Sequence, residues 1–460
     1  MTQESHKLPW WRMALYGCAG LGLSTLLSAT EVAWLPFLSD VARIPIEIAG
    51  MIFFVSFVWN AINDPIVGLV SDRTRSRFGR RRIYLLIFTI PLAILYVLIW
   101  WVWPIESLGG RVVYFIVAFV VYEFVWTLVD VPREALGPEL TLGYQERNTL
   151  SLWKTLAENI GFTAGAVLPL VLVGAFAPLL GSEPEAYRLM AAVLSIGMVM
   201  FVYATFFGTR ERREYQERRQ PAIGDTIRSL FRNQPYVVLT VGCVMGFLFI
   251  GVTASTMYFF IEDYLRLDTE MATTAVLAYY LFIVLPMPLW LWVANGLGKK
   301  PTLLIALALA VIGSVLMYLL GPTTPFGWVA AAYAFWGLSA AGFLLCAYSM
   351  LMDCVEEDEL VTGVRQEGAF MSAYAMAAKI GEGVAGLAVG QVLGAFGFIE
   401  GAAVQPAGAI EAIHWMATLV PAGLMAAAFV ITPFFPITRE RHEETLRLLA
   451  ERGLEMTNDK

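Results

Sequence analysis

The sequence repeats apolar runs that are long enough to cross a membrane, and no other feature limits its fold as strongly. A hydrocarbon core of about 30 Å requires about 20 consecutive apolar residues in a helix. Counted between polar breaks, the runs predict about twelve spans. Hydrophobic residues make up 58% of the chain and charged residues 15%, which excludes a soluble protein of several domains. We therefore predict an all-α polytopic membrane protein with twelve transmembrane helices.

Basic residues predict how these helices are oriented. With both termini in the cytoplasm, the outward loops contain few of them, since nearly all lie at inward loops and ends. The outward ones are Arg43, Arg111, Arg188 and Arg266. The charged segment between the two groups of six spans would be a cytoplasmic linker. The predicted domains are an N-terminal six-helix bundle (1–207), this linker (208–235), a C-terminal six-helix bundle (236–435) and a cytoplasmic tail (436–460).

The pattern of cysteines and histidines indicates neither a disulfide nor a zinc site. The four cysteines lie in apolar stretches without C-x-x-C spacing, and the three histidines are scattered. We expect free thiols and no cofactor. The first apolar segment is too long for the core of a signal peptide and is expected to be the first span. Segment 438–455 has the pattern of a short helix, either solvated or lying on the inner membrane surface.

The stretch 59–82 combines the polar end of a span with an arginine cluster. Asn60, Asn63 and Asp64 end an apolar run, and six arginines follow between positions 73 and 82. A carboxylate inside a membrane-length segment costs about 2.5–3.5 kcal/mol and is a functional candidate by default. Asp72, which ends this span, is predicted to pair with nearby arginines as a cytoplasmic gate. If these arginines only fixed the topology, Asp72 would not be needed.

Several further polar residues share helical faces at i, i+3 and i+4 spacing. They are Ser24, Ser28 and Glu31 on the first span, Glu123, Trp126, Asp130 and Glu134 on the fourth, Lys154 and Glu158 on the fifth, and Lys379 and Glu382 on the eleventh. Ionisable groups at this depth must point into the bundle or a wet cavity and pair with one another. The pair Lys154–Glu158 is equally explained as a structural staple between helices.

Three stretches carry a resemblance to a known family. They are N-D-P-x-x-G-x-x-x-D-R-T-R-S-R-x-G-R at 63–80, D-V-P followed by A-L-G-P-E-L-T-L-G-Y-Q-E-R at 130–147, and M-D-C-V-E-E-D-E-L-V-T-G-V-R-Q-E-G at 352–368. In them the chain resembles the glycoside–pentoside–hexuronide cation symporters, a branch of the major facilitator superfamily. The resemblance implies the major facilitator fold, with a substrate cavity at the midplane between two bundles.

The same resemblance, read together with the helical faces, predicts roles for individual residues. The expected cation site is Asp64, Asp130 and Asn60, with sodium at Asp64 and Asp130 if sodium is the ion. Asn60 stands where the family commonly has a second carboxylate. The expected substrate-binding residues are Lys379, Ser24, Glu31, Trp126, Glu134, Lys154 and Trp336. The expected gate residues are Asp72, Arg73, Arg75, Arg77, Asp353 and Arg365.

The predicted function is therefore secondary active symport of a glycoside, sugar or sugar acid across the cell inner membrane. Ser24 stands near the position of the family's sugar-binding aspartate, which leaves a lysolipid-like amphiphile as the alternative substrate; Glu31 is expected to compensate. A membrane-embedded enzyme would need a motif such as H-E-x-x-H or a nucleophile elbow, and the sequence has neither. Expected partners are the small-molecule substrate, a coupling cation and the lipid bilayer, without nucleic acid, for a monomeric protein. Because Asn60 removes one charge from the cation site, the sequence favours a proton over sodium as the coupling ion.

Overall fold

The computed structural model describes residues 9–140, 144–211, 232–363, 367–402 and 404–458, and this part of the chain is helical with short turns. We number its α-helices in chain order. They are α1 (Trp10–Pro36), α2 (Ile46–Arg73), α3 (Arg82–Ile99), α4 (Leu108–Leu140), α5 (Tyr144–Leu180), α6 (Glu183–Gly208), α7 (Gln234–Phe259), α8 (Thr269–Val284), α9 (Met287–Leu297), α10 (Lys299–Tyr318), α11 (Phe326–Thr362), α12 (Glu367–Ala395), α13 (Ala407–Ala417), α14 (Leu419–Ile431) and α15 (Arg439–Asn458). Short π-helical turns extend α1 over Phe37–Val41 and α7 over Phe260–Tyr264.

Within the described residues, eleven helical segments are long and apolar enough to cross a membrane. Two of them are made of two helices each, α8 with α9 and α13 with α14. The predicted eleventh span, 370–397, is also a helix, α12, but it is not among the eleven. It carries two charged residues, Lys379 and Glu382, within its apolar run.

Contacts group the chain into two compact units. The first comprises Met1–Arg218, Met257–Leu277 and Gly386–Ala412, and the second comprises Arg219–Thr256, Ala278–Ala385 and Ile413–Lys460. The first unit therefore contains α1 to α6, and the second contains most of α7 to α15. The domain boundaries at 207, 235 and 435 stay a prediction.

In the first unit, α1 and α5 lie against each other backbone to backbone. A Cβ atom added to Gly17 would lie 2.8 Å from the carbonyl oxygen of Trp153, and Cβ atoms on Gly161 and Gly165 would overlap the carbonyl oxygens of Leu21 and Thr25. Small residues allow this close approach in membrane helices, where dispersion contacts rather than the hydrophobic effect hold helices together. We refer to this contact as the glycine seam.

At the end of this unit that is predicted to face outward, α2 contacts the second half of α12. A Cβ atom on Gly50 would lie 2.8 Å from the carbonyl oxygen of Gly386 and 3.2 Å from Cα of Gly390. Arg43 Nη1 donates to the carbonyl oxygen of Glu400 at 2.5 Å, and the backbone N–H of Gly401 donates to Asp40 at 3.0 Å. Small residues and loop hydrogen bonds therefore hold these two helices together at this end.

The carboxylate of Glu211, which follows α6 in the sequence, caps the N-terminus of α3. Glu211 accepts hydrogen bonds from the backbone N–H groups of Arg80, Arg81 and Arg82, at 2.7, 2.8 and 2.7 Å. The first N–H groups of a helix have no partner within the helix, and their dipoles favour a negative charge. Gly79, at φ 108°, turns the chain so that the N–H groups converge. Glu211 thereby fixes the arginine-rich loop to the segment that follows α6.

Glu211→Ala is expected to lower the free energy of unfolding by about 1–2 kcal/mol, since it leaves this helix end uncapped. Thermal unfolding of the purified protein in detergent measures the effect. Glu185→Ala serves as the control, because Glu185 is a half-exposed residue whose ion pair with Arg188 is 3.6 Å long. Equal melting temperatures for the Glu211 variant and the wild type would contradict the capping role.

Candidate functional site

Four polar side chains of α2 and α4 form a hydrogen-bonded group, which we call the oxygen cluster: Asn60, Asp64, Glu123 and Thr127. Asn60 Nδ2 donates to Glu123 Oε2 at 2.5 Å. Thr127 Oγ1 lies 3.1 Å from Asn60 Oδ1 and 3.2 Å from Asp64 Oδ1. The i,i+4 spacing on both helices brings each pair onto one face. Asn60 and Glu123 are buried, at 5% and 7% exposure, so the cluster is an internal feature of the first unit.

The oxygen cluster offers the ligand types that hard cations prefer, namely carboxylate, amide and hydroxyl oxygens. The Thr127 hydroxyl has a single proton to donate, but three acceptors lie within its reach, including the carbonyl oxygen of Glu123 at 3.0 Å. It can therefore serve only one acceptor at a time. A proton or a small cation entering the cluster would find oxygen acceptors already oriented by two helices.

Five charged side chains of α4 and α5 form a second group, the arginine network: Asp130, Arg133, Glu134, Lys154 and Glu158. Arg133 donates to Asp130 Oδ1 through Nε (3.0 Å) and Nη2 (2.8 Å), to Glu158 through Nη1 (3.0 Å), and to Glu134. Lys154 Nζ lies 2.5 Å from Glu134 and 3.7 Å from Glu158. Arg133 is only 4% exposed, so its charge depends on these carboxylates.

Helix α1 closes over the arginine network. The Tyr16 hydroxyl donates to the carbonyl oxygen of Arg133 at 3.3 Å. A Cβ atom on Gly20 would lie 2.8 Å from Cγ of Glu158 and 3.2 Å from Nη1 of Arg133. A larger residue at position 20 would therefore displace the ion pairs, which explains why α1 has glycine there.

The structure divides the polar stripe that the sequence places along the fourth span. Glu123 joins α2 through Asn60, whereas Asp130 is bonded to Arg133. Of the three residues predicted to bind the cation, Asn60 and Asp64 lie together in the oxygen cluster, and Asp130 lies in the arginine network. The Oδ1 atom of Asp130 is held by the guanidinium of Arg133, and a role of Asp130 in cation binding stays a prediction.

Sequence reasoning missed Arg133 and Thr127. Arg133 is three residues from Asp130 in an apolar helix, a spacing that predicts an ion pair on one face. This signal was present, but a basic residue near a predicted inward helix end is also explained by topology alone. The pair Lys154–Glu158, which could have been a simple staple, is one edge of a network that links both residues to α4.

The remaining residues predicted to bind substrate have varied surroundings. Ser24 is buried on α1, and Glu31 is half-buried two turns further along. Trp126 is buried against Tyr122, with ring centroids 5.9 Å apart. Trp336 lies in the second unit, where its indole N–H donates to Ser314 at 3.1 Å and Phe249 packs edge-on against its ring. Trp336 therefore contributes to the packing of that unit; its role as a substrate platform stays a prediction.

Lys379 and Glu382 lie on α12 within the second unit, and the two charges interact. Their i,i+3 spacing is the one that the sequence predicts. Backbone of α12 is in close contact with α7, since a Cβ atom on Gly251 would lie 2.9 Å from Cα of Glu382. Glu382 and Lys379 thus lie about one turn apart on the same helix.

Among the predicted gate residues, Asp353 is buried and paired. Its Oδ1 atom lies 2.5 Å from Lys299 Nζ and 3.5 Å from His442 Nδ1. One ligand atom each from Asp353, Glu356 and His442 lie within 4.8 Å of one another, a grouping that the scattered histidines of the sequence do not indicate. Arg75 and Arg77 are exposed. Arg365 and the side chains of Asp72 and Arg73 lie outside the described residues, so the predicted pairing of Asp72 stays a prediction.

The tail helix α15 packs on α11 rather than being solvated on all sides. Arg441 forms an ion pair with Glu357, with Nε 3.0 Å from Oε1, and the Thr445 hydroxyl donates to Oε2 of the same carboxylate at 3.0 Å. Together with His442, these contacts place α15 beside Asp353. The tail therefore contributes to the surroundings of a predicted gate residue.

Comparisons with known proteins agree over most of the chain. The sequence profile of the family described as MFS/sugar transport protein matches residues 15–439. The isoprimeverose transporter of Lactiplantibacillus pentosus is 28% identical over 440 residues, which cover 93% of this chain and 89% of that protein. The glucuronide carrier protein homolog of Escherichia coli (strain K12) is 29% identical over 448 residues, covering 96% and 95%. A solved structure, a bacterial homolog of the human lysosomal transporter Spinster, has a TM-score of 0.70 at 12% identity and covers 96% of this chain and 98% of its own.

Proposed function

The chain belongs to the MFS/sugar transport protein family, and from this membership we propose that it is a secondary active symporter that imports a glycoside or another sugar together with a cation. Family members of this kind are integral proteins of the inner membrane, in keeping with the eleven membrane-length segments. The substrate is a small molecule, and the driving force is a cation gradient.

The observation that carries this proposal is the pair of polar groups buried inside the first unit. Ionisable residues at membrane depth are costly and mark ion or substrate pathways. The oxygen cluster and the arginine network both include α4, on which Glu123 and Thr127 lie one to two turns from Asp130. A cation site and a substrate site could thus be coupled through one helix.

We assign cation binding to the oxygen cluster, with Asp64, Glu123, Asn60 and Thr127 as the oxygen donors. Asp130 is assigned to the arginine network, since Arg133 already holds its Oδ1 atom at 2.8 Å. Cation binding would neutralise charge on α2 and α4, and a neutralised site tolerates the change of exposure that alternating access requires. The coupling of the two ligands is reciprocal, so each must raise the affinity for the other by the same factor.

Uptake into proteoliposomes tests the proposal. Radiolabelled glycosides, such as isoprimeverose or methyl β-xyloside, are offered with an inward gradient of sodium, of protons or of neither. Accumulation of a sugar that depends on one of the two gradients is the expected result. The amphiphilic alternative is tested in the same vesicles with a lysophospholipid, and accumulation of the lipid without that of any sugar would replace the proposal.

Lys379→Ala is expected to abolish cation-driven uptake while the protein stays folded. The resemblance assigns this lysine to the substrate site, and Glu382 would then lose the positive charge three residues away. Uptake and the melting temperature are measured on the same preparation. Lys379→Arg, which keeps the charge, serves as the matched variant. Wild-type uptake by the alanine variant would remove Lys379 from the site.

A further inference from the structure

We propose that Asp353, Glu356 and His442 form a binding site for a divalent transition-metal ion, with zinc as the metal that fits best. The first two residues lie on α11 and the third lies on the tail helix α15, all within the second unit. An ion held there would fasten the tail to the helix that carries a predicted gate residue. The proposal does not depend on symport, because none of the three residues belongs to the oxygen cluster or the arginine network.

The three side chains are spaced like ligands around one metal ion. His442 Nδ1 lies 3.5 Å from Asp353 Oδ1 and 3.6 Å from Glu356 Oε2. Zinc binds nitrogen and oxygen at about 2.0–2.2 Å in a tetrahedral arrangement, so two of its ligand atoms lie about 3.3–3.6 Å apart. The ligand atoms of all three residues lie within 4.8 Å of one another. An ion between them would therefore require only small adjustments of the side chains.

The imidazole nitrogen that faces the two carboxylates makes no hydrogen bond. Nδ1 of His442 is buried and has no hydrogen-bond partner among the described residues. Its distances to the carboxylates exceed the 2.7–3.2 Å of an ordinary N–H···O bond. A buried polar atom without a partner is unfavourable, and a bound ion is one of the physical reasons for such an atom. A neutral imidazole nitrogen is also the commonest metal ligand in proteins.

Other contacts of α15 orient the histidine without a metal ion. Arg441 Nε lies 3.0 Å from Oε1 of Glu357, and the Thr445 hydroxyl donates to Oε2 of the same carboxylate at 3.0 Å. These two contacts lie on either side of His442 along the helix and turn its face toward α11. The site is therefore oriented by protein contacts before any ion binds.

Lys299 opposes the binding of a metal ion but does not exclude it. Its Nζ atom lies 2.5 Å from Asp353 Oδ1 and 3.3 Å from the carbonyl oxygen of Ser349. A carboxylate has about four lone-pair sites on its two oxygens, and carboxylates that bind a metal commonly accept a hydrogen bond as well. The ammonium charge lowers the affinity for a second cation, and Glu356 has a further interaction of its own. We therefore expect an affinity in the micromolar range, weaker than that of closed structural zinc sites.

The donor set favours a transition metal over magnesium or calcium. It consists of one imidazole nitrogen and two carboxylate oxygens, whereas the hard cations prefer oxygen ligands alone. Imidazole suits zinc, copper, iron and nickel. The side chains of Glu356 and His442 are 20% and 21% exposed, so an ion can enter from water and a water molecule can complete the coordination.

Calorimetric titration with zinc chloride tests the proposal on the full-length protein in detergent, after any purification tag and any bound metal have been removed. One ion per chain is expected to bind, with a dissociation constant of about 1–10 μM. His442→Gln and Glu356→Gln each remove one ligand and keep a polar side chain, and each should weaken binding at least about tenfold. The matched control is His414→Gln, because His414 Nε2 lies 3.0 Å from the carbonyl oxygen of Tyr318 at the end of α10. It should bind zinc like the wild type.

Limited proteolysis shows whether the ion binds at the tail. Zinc should slow the cleavage of α15 by trypsin in the wild type and in His414→Gln, and magnesium at the same concentration should not. A wild type that binds no zinc, or whose tail zinc does not protect, overturns the proposal. Zinc binding that both ligand variants keep, or that magnesium matches, overturns it as well. If one ligand variant does not fold, the other variant and the protection of the wild-type tail decide.

Discussion

Arg133→Ala is expected to lower the free energy of unfolding by about 3–5 kcal/mol, which is the usual result when one partner of a buried ion pair is removed. Without the guanidinium, Asp130 loses its cation, and Glu134 and Glu158 keep only Lys154. Uptake should be lost as well, because the carboxylates would no longer hold their orientation. Thermal unfolding in detergent and sugar uptake in proteoliposomes measure the two effects.

Two further variants separate charge from geometry at this position. Arg133→Lys keeps the charge but cannot contact three carboxylates at once, so it should recover part of the stability and little uptake. The double variant Arg133→Gln, Glu134→Gln removes one charge of each sign, and it should be more stable than Arg133→Gln alone. A double-mutant cycle gives the coupling energy of the pair. An Arg133→Ala protein that melts with the wild type would show that the network contributes no stability.

The second large effect is expected at the oxygen cluster. Asp64→Asn and Glu123→Gln should each reduce cation-driven uptake by about 100-fold or more, which corresponds to about 2.7 kcal/mol in ion affinity. Each variant removes one carboxylate charge while leaving the side-chain shape nearly unchanged. Initial uptake rates over a range of cation concentrations measure the loss. If Glu123→Gln transports normally and Asp64→Asn does not, Glu123 only positions Asn60.

The identity of the coupling ion is open to the same assay. The sequence favours a proton because Asn60 removes one charge from the site. In the structure a carboxylate from α4 lies beside that amide, with Glu123 Oε2 2.5 Å from Asn60 Nδ2. If Glu123 takes part in the cation site, it supplies the charge that Asn60 lacks; the preference for a proton stays a prediction. Uptake driven by a pH gradient without sodium, against uptake driven by sodium at constant pH, decides between them.

Much of the fold could be predicted from the sequence because the solvent is a bilayer. Each backbone polar group must be satisfied internally, so a long apolar run has little choice but a helix. The spans were therefore found by length alone. Helix α12 was predicted in the same way, as the apolar run 370–397, although it carries Lys379 and Glu382 and is not among the eleven membrane-length segments of the described residues.

The candidate site could be predicted only in part, because helical spacing shows which residues share a face and not which face they meet. Asn60 and Asp64 were found in this way. The division of the α4 stripe was not, since it depends on how α4 is rotated between α2 and α5. Arg133 was missed for a related reason: near a helix end, a basic residue has the same sequence pattern whether it marks topology or holds three carboxylates.

The glycine seam between α1 and α5 has a consequence for how this half of the molecule can move. At Gly17, Gly161 and Gly165 the two helices lie so close that a Cβ atom would collide with the facing backbone. We therefore expect α1 and α5 to move as one rigid pair, in which a tilt of α1 carries α5 along. Lys154 and Glu158 lie on α5 in this rigid pair, whereas Asp130 and Arg133 lie on α4. A hinge motion between the rigid pair and α4 would therefore open or close at the ion pairs that join α4 to α5. The ion pairs between α4 and α5 would then lie at the hinge, and the glycine contacts would keep α1 and α5 rigid on one side of it.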